Sequence, residues 1–178
     1  SKPWSLTGVE GMHRFIKRVW AMLYEHWDAD FKEEHRKKMA ALTHKTIKRV
    51  TEDLQGLKFN TAIAAMMEYV NGLQEMIAEW RLSDPEFVKI PEWDEAKRTL
   101  LLLLAPFAPH LSEELWQSKI VADEEQVNTD QRKSVPNQWK SIHGQQWPRY
   151  NEEYIKEETV NIPVQVNAKM RGNIIVHA

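Results

Sequence analysis

The side chains able to hold a metal or move a proton are spread thinly along this sequence. Histidines stand at His13, His26, His35, His44, His110, His143 and His177, and there is no cysteine. Glu10-x-x-His13 has the spacing of one ligand pair in a carboxylate-bridged di-iron bundle. Such a centre takes a second Glu-x-x-His and further glutamates, and the sequence holds no second copy, so no metal site is expected. The absence of cysteine excludes disulfides and Cys-ligated zinc and fits a reducing compartment. There is no G-x-S-x-G, Walker loop or G-x-G-x-x-G, and six glycines leave little material for a phosphate cradle. Nothing here points to catalysis by this chain on its own.

The basic residues carry more information. Arg14, Lys17 and Arg18 fall together at helical spacing, and so do Lys37, Lys38, Lys45, Lys48 and Arg49. Acidic residues gather elsewhere, over 84–95 and 123–158. With a formal net charge of -2 the whole molecule is not a polycation, so any polyanion partner must meet a local patch. Two readings fit such faces: an ordinary solvated helix surface, and contact with a phosphate backbone.

Helices must position those faces. Thr7-Gly8-Val9-Glu10 reads as a capping box that opens a first helix, with Val9, Met12, Ile16, Val19, Trp20, Leu23 and Trp27 as its apolar stripe. A second helix is expected from about Lys32 to Leu54, turning Met39, Leu42, Ile47, Val50 and Leu54 inward and stopping at Gln55-Gly56. Asn60 suits the N-cap of a third helix carrying Ile63, Met66, Met67, Val70, Leu73, Ile77 and Trp80. Its period stays in phase through Asn71-Gly72, which overrides that turn signal. Pro91 suits the first position of a fourth helix running to about Ala105. Pro106 must end or kink it, and Pro109 opens a short helix with Leu111 and Leu115 one turn apart. A short turn between the first two helices makes them antiparallel neighbours, so their basic faces are expected to merge.

The fold expected is mainly α, a helical bundle over 1–118. A long polar loop or linker over 119–158 wraps it, anchored by Trp139 and Trp147. Most of the eight tryptophans read as core. From 159 to 178 the period changes to two: Val160, Ile162, Val164 and Val166 alternate with polar residues, and Met170 to Val176 reads as a second strand. Two strands alone are marginal, so this is expected to be a small β-hairpin that starts a truncated C-terminal domain. The run Leu100 to Pro109 falls far short of the roughly 18 to 20 residues a bilayer needs. No signal peptide is expected, because SKPWSLTGVEG lacks a basic region followed by an apolar one.

Several blocks resemble a known family. TGVEGMHRFIKRVW (7–20), HKTIKRVTEDLQGLKFNTAIAAMMEYVN (44–71), LLLLAPFAPHLSEELW (101–116) and VQVNAKMRG (164–172) are similar, in that order, to the C-terminal region of bacterial-type leucyl-tRNA synthetases. The blocks cover roughly half the chain and span nearly all of it. The resemblance implies an anticodon-binding-type helical bundle of a class I synthetase that lies against the tRNA body, followed by the start of a C-terminal tRNA-binding domain. It implies a leucine-specific tRNA and the remainder of the synthetase chain as partners, with a soluble, cytoplasmic monomer as parent. The family's HIGH-like and KMSKS-like motifs are not in this sequence. The resemblance therefore implies no cofactor in this fragment, and it places ATP, magnesium and the leucine ligase chemistry in the parent enzyme's upstream domains.

Carried over by position, the resemblance places Arg14, Arg18, Lys45, Lys48 and Arg49 on the tRNA-facing helices, where Lys17 joins them from the basic face, and Lys169 and Arg171 in the family's V-N-G-K-x-R turn. Ala168 stands where the family usually has glycine, which puts the shape of that turn in doubt. The polar stretch after Trp116 is longer than the family pattern suggests. Two rivals stay open: the matching domain of a valyl- or isoleucyl-tRNA synthetase, and a helical protein-interaction module without RNA binding.

Overall fold

The computed structural model describes residues 6–24, 33–80, 91–122, 141–155, 159–166 and 169–177, the last two as backbone. In chain order the elements are α1 (Leu6–Tyr24), α2 (Glu33–Gln55), α3 (Phe59–Trp80), α4 (Pro91–Leu104) and α5 (Pro109–Leu115). A π-helical turn (Trp116–Val121), a 3-10 turn (Ile142–Gly144) and a one-turn helix α6 (Glu152–Ile155) follow. Strands β1 (Thr159–Val166) and β2 (Lys169–His177) pair antiparallel, from Thr159 opposite His177 to Val166 opposite Lys169. The register slips between Val164 and Gln165, whose partners are Gly172 and Met170, so Arg171 is the extra residue. Trp27 and Trp139 lie outside the described residues.

α2, α3 and α4 form the centre, with α2 packed on both α3 and α4. Met39, Ile47 and Val50 from α2 meet Met66, Tyr69, Val70 and Leu73 from α3, and Leu100, Leu101, Leu103 and Leu104 from α4 close the core. Fully buried Tyr69 shares a 2.8 Å hydrogen bond with the Thr43 hydroxyl and donates to the Ala96 carbonyl at 3.4 Å, tying three helices together. Burial, with the nearby Glu95 charge, pushes its phenol far above the ordinary tyrosine value, against the smaller pull of Thr43. Gly72 sits inside an unbroken α3 for a packing reason: a Cβ there would lie 2.9 Å from Leu42 Cδ2.

The proline corner forms because Pro106 has no N–H to offer. α4 stops at Leu104, whose carbonyl accepts both Phe107 N–H and Ala108 N–H at 2.9 Å, and Pro109 restarts the helix at its first position. Among the described residues no helix is long and apolar enough to cross a membrane.

Three expectations need correction. α1 buries Phe15, Val19, Met22 and Leu23, whereas Val9, Met12 and Trp20 keep 47%, 37% and 39% of their surface exposed. The expected stripe was too wide, and its flank turns away from the core. α1 begins at Leu6, so Thr7 lies inside the helix and not at its N-cap. α3 begins at Phe59, and the Lys58 carbonyl accepts Ala62 N–H at 3.1 Å, which places Asn60 inside that helix too. The end of α2 falls where expected, at Gln55-Gly56. Leu57 N–H reaches Leu54 O at 3.0 Å and Lys58 N–H reaches Asp53 O at 2.7 Å, the two bonds of a Schellman motif. The left-handed residue is Leu57, with φ 55°, and Gly56 has no positive φ.

The polar stretch is more structured than a plain linker. Helical backbone continues past residue 118 to Ala122. Residues 141–155 then lie across α5 and α2, with Ile142 buried in the core and α6 packed on α2. Glu113 on α5 fixes one end, accepting from Ser141 Oγ at 2.9 Å, Ile142 N–H at 3.0 Å and Gln117 Nε2 at 2.7 Å. Partial burial alone would raise its carboxyl. The bonds from Gln117, Ser141 and Ile142, with His143 nearby, outweigh that and hold it below the ordinary glutamate value. Trp147 fixes the middle by donating from Nε1 to Thr51 Oγ1 at 2.9 Å, while Thr51 donates to the Ile47 carbonyl.

Candidate nucleic-acid interface

Each predicted cation has a definite setting. On α1, Arg14 and Lys17 are exposed and Arg18 is half-buried. These three face a single carboxylate on that helix, Glu10. The expected merging of α1 with α2 takes another route, since the principal partner of α1 is α3. Arg18 crosses to α3 and donates from Nη1 to Asn71 Oδ1, and Arg49 of α2 reaches the same helix through an ion pair with Glu68. Glu68 and Asn71 are three residues apart on one face of α3. The α3 ridge thus carries an arginine from each of two neighbouring helices, α1 and α2, with Arg14 one turn before Arg18 and Lys45 one turn before Arg49.

These partners do not lock the arginines away from a phosphate. A guanidinium has five N–H donors, and Asn71 is neutral. The Arg49–Glu68 pair leaves 48% and 62% of its side chains exposed, and exposed pairs contribute only about 0–1 kcal/mol, so a phosphate can replace the carboxylate at small cost.

The rest of the predicted basic face on α2 is partly balanced. Lys48 lies 3.6 Å from Glu152 of α6 and 5.6 Å from the Tyr150 ring centroid. Sequence spacing had separated that acidic stretch from α2, but the fold returns it. Lys37 borders a cleft whose walls also hold Glu33, Glu92 and Glu95, so the start of α2 is of mixed sign. Lys169 opens β2 opposite Val166, and Arg171 sits at the register slip. Among the described residues no group of three or more His, Asp or Glu side chains is placed to hold a metal ion.

Sequence reasoning missed the α3 residues that organise the arginines. Glu68 and Asn71 read as unremarkable polar positions outside the apolar period of α3. Their spacing, on the face opposite Met66 and Val70, was the available signal.

The family model described as the anticodon-binding domain of tRNA ligase matches residues 36–178. The chain belongs to this family. Curated relatives of this anticodon-binding domain are leucine–tRNA ligases. That of Rubrobacter xylanophilus is 39% identical over 94% of this chain and 17% of its own length. That of Herpetosiphon aurantiacus is 36% identical over 99% of this chain and 19% of its own length. The domain thus spans less than a fifth of those relatives. Among solved structures, the ternary complex of Agrobacterium radiobacter K84 agnB2 LeuRS-tRNA-LeuAMS matches it with TM-score 0.66 and 25% identity. The match covers 99% of this chain and 21% of that one.

Proposed function

We propose that this anticodon-binding domain is the tRNA-gripping module of a leucine–tRNA ligase, holding the body of leucine tRNA while a catalytic domain outside this sequence charges it. The observation that carries the reading is the α3 ridge, where Arg18 of α1 and Arg49 of α2 converge with Arg14 and Lys45 beside them. A double-stranded RNA backbone presents regularly spaced phosphates, and cations from adjacent helices on one ridge suit it. No bond is made or broken by these residues. Their contribution is orientation, since phosphate contacts fix register without reading sequence. ATP and magnesium belong, in this reading, to the absent catalytic part.

Leucine is favoured over valine or isoleucine because the curated relatives carry that name and are 33–39% identical to this chain over the aligned stretch. β1 and β2 are read as the opening hairpin of the C-terminal domain, with Lys169 and Arg171 as secondary contacts. Filter binding with a leucine-acceptor tRNA transcript tests the proposal. Saturable binding at low salt, competed poorly by an equal mass of DNA duplex, is expected. Absence of binding to any tRNA at low salt would return the chain to the class of protein-interaction modules.

A further inference from the structure

The exposed flank of α1 that the core leaves uncovered has a composition of its own. His13, Lys17, Trp20 and Tyr24 stand at i, i+4, i+7 and i+11, one continuous stripe beside Arg14. Trp20 and Tyr24 stack on each other, with ring centroids 5.2 Å apart and planes 14° from parallel, yet they stay 39% and 40% exposed. Lys119 sits over the Tyr24 ring at 3.6 Å, and the Tyr24 hydroxyl reaches Ser118 Oγ at 3.5 Å. Both partners come from the π-helical turn that follows α5, which sets consecutive side chains, Ser118 and Lys119, against one tyrosine. π-turns of this kind are rare and concentrate at functional sites.

We infer that Trp20 and Tyr24, flanked by Lys17 and Lys119, form a stacking platform for an unpaired RNA base whose phosphate lies against the lysines. The inference rests on the tRNA-binding reading and adds a second mode to it: base stacking beside backbone contact. Stacked rings are held flat and pre-ordered, so a base adds to the stack at little entropic cost, and every base has a face to offer. The neighbouring charge is positive on both sides of the pair, which suits a nucleotide and works against an apolar protein segment. A duplex, whose bases are already stacked, has nothing to place there.

The test uses the whole 178-residue chain and two RNAs, a leucine-acceptor tRNA transcript and a blunt RNA duplex without unpaired bases. Trp20→Ala is expected to weaken tRNA binding about tenfold, with the salt slope unchanged because no charge is removed, and to leave duplex binding as it was. Trp20→Phe keeps a ring and is expected to recover most of the loss, which separates stacking from misfolding. Equal affinity of Trp20→Ala and wild type for the tRNA overturns the platform while leaving the backbone reading intact. The same result together with a wild-type dimer that Trp20→Ala dissolves in sedimentation would assign the stripe to protein contact. Equal losses on both RNAs, or no recovery with phenylalanine, overturn it as well. Failure of the wild type to bind either RNA removes both proposals.

Discussion

The end of α2 invites a pair of substitutions that ask which residue carries its left-handed cap. The sequence reading stops the helix at Gln55-Gly56, and glycine is the residue type that best tolerates a left-handed backbone. In the fold that conformation is held by Leu57 at φ 55°, and its side chain is 74% exposed. An L-residue in this region costs roughly 1–2 kcal/mol, and the exposed leucine recovers little of that through burial. Leu57→Gly removes the strain but adds about 0.5–1 kcal/mol of backbone freedom to the unfolded chain, leaving a net gain of about 0.5–1 kcal/mol. Gly56→Ala meets only ordinary contacts, Glu52 O at 3.4 Å and Lys58 Cε at 3.5 Å, and should be neutral or stabilising by up to about 1 kcal/mol. Urea denaturation reads both as midpoint shifts at constant slope, and a gain of about 0.5–1 kcal/mol raises Tm by about 1–4 °C for a chain of this length. Loss of more than about 1 kcal/mol in Gly56→Ala, with no gain in Leu57→Gly, would refute the assignment.

Other consequences concern packing and the strap over the bundle. Gly72→Ala is expected to gain about 1 kcal/mol of helix propensity in a Leu42→Ala background and to lose most of that gain beside native Leu42. Identical effects in both backgrounds would show that the two residues do not meet. Tyr69→Phe should cost about 1–3 kcal/mol by stranding the buried Thr43 hydroxyl, Thr43→Val should cost less because Tyr69 keeps the Ala96 carbonyl, and the double substitution should cost less than their sum. Glu113, with its folded carboxyl held below the ordinary value, contributes stability that is fully present above the unfolded glutamate pKa. That contribution is lost as pH falls through the folded pKa, so Glu113→Gln should flatten the acid limb of the stability curve. An unchanged acid limb would mean that Glu113 does not hold the strap as a carboxylate.

The sequence revealed most where one physical rule acted alone. Pro91, Pro106 and Pro109 set boundaries that the fold keeps, because a missing N–H has few remedies. The leucine block and the α3 period found the core, since continuous burial needs continuous apolar faces. Helix ends were less legible. Thr7 and Asn60 are each sound cap residues, yet neighbours one or two positions away supply the termini, and local propensity differs little over such a shift. α2 stops at Gln55-Gly56 as read, with Leu57 holding the left-handed cap. The surface was legible as a set of cations and not as an arrangement. Nothing in the spacing of Arg18 or Arg49 announces that both meet α3, and nothing in 141–155 announces that Glu152 would return to Lys48. Those are long-range contacts, fixed by how helices pack.

The measurement closest to the central claim is the salt dependence of tRNA affinity for the wild type and for a chain carrying Arg14→Ala, Lys17→Ala and Lys45→Ala. These side chains are exposed, so folding should be preserved, which circular dichroism checks. Log affinity of the wild type should fall linearly with log salt. The triple variant should bind more weakly, with a slope shallower by about 2–3, from roughly 0.7–0.9 per lost phosphate contact. A folded variant with the wild-type slope and affinity would contradict the claim that this face of α1, α2 and α3 grips the RNA.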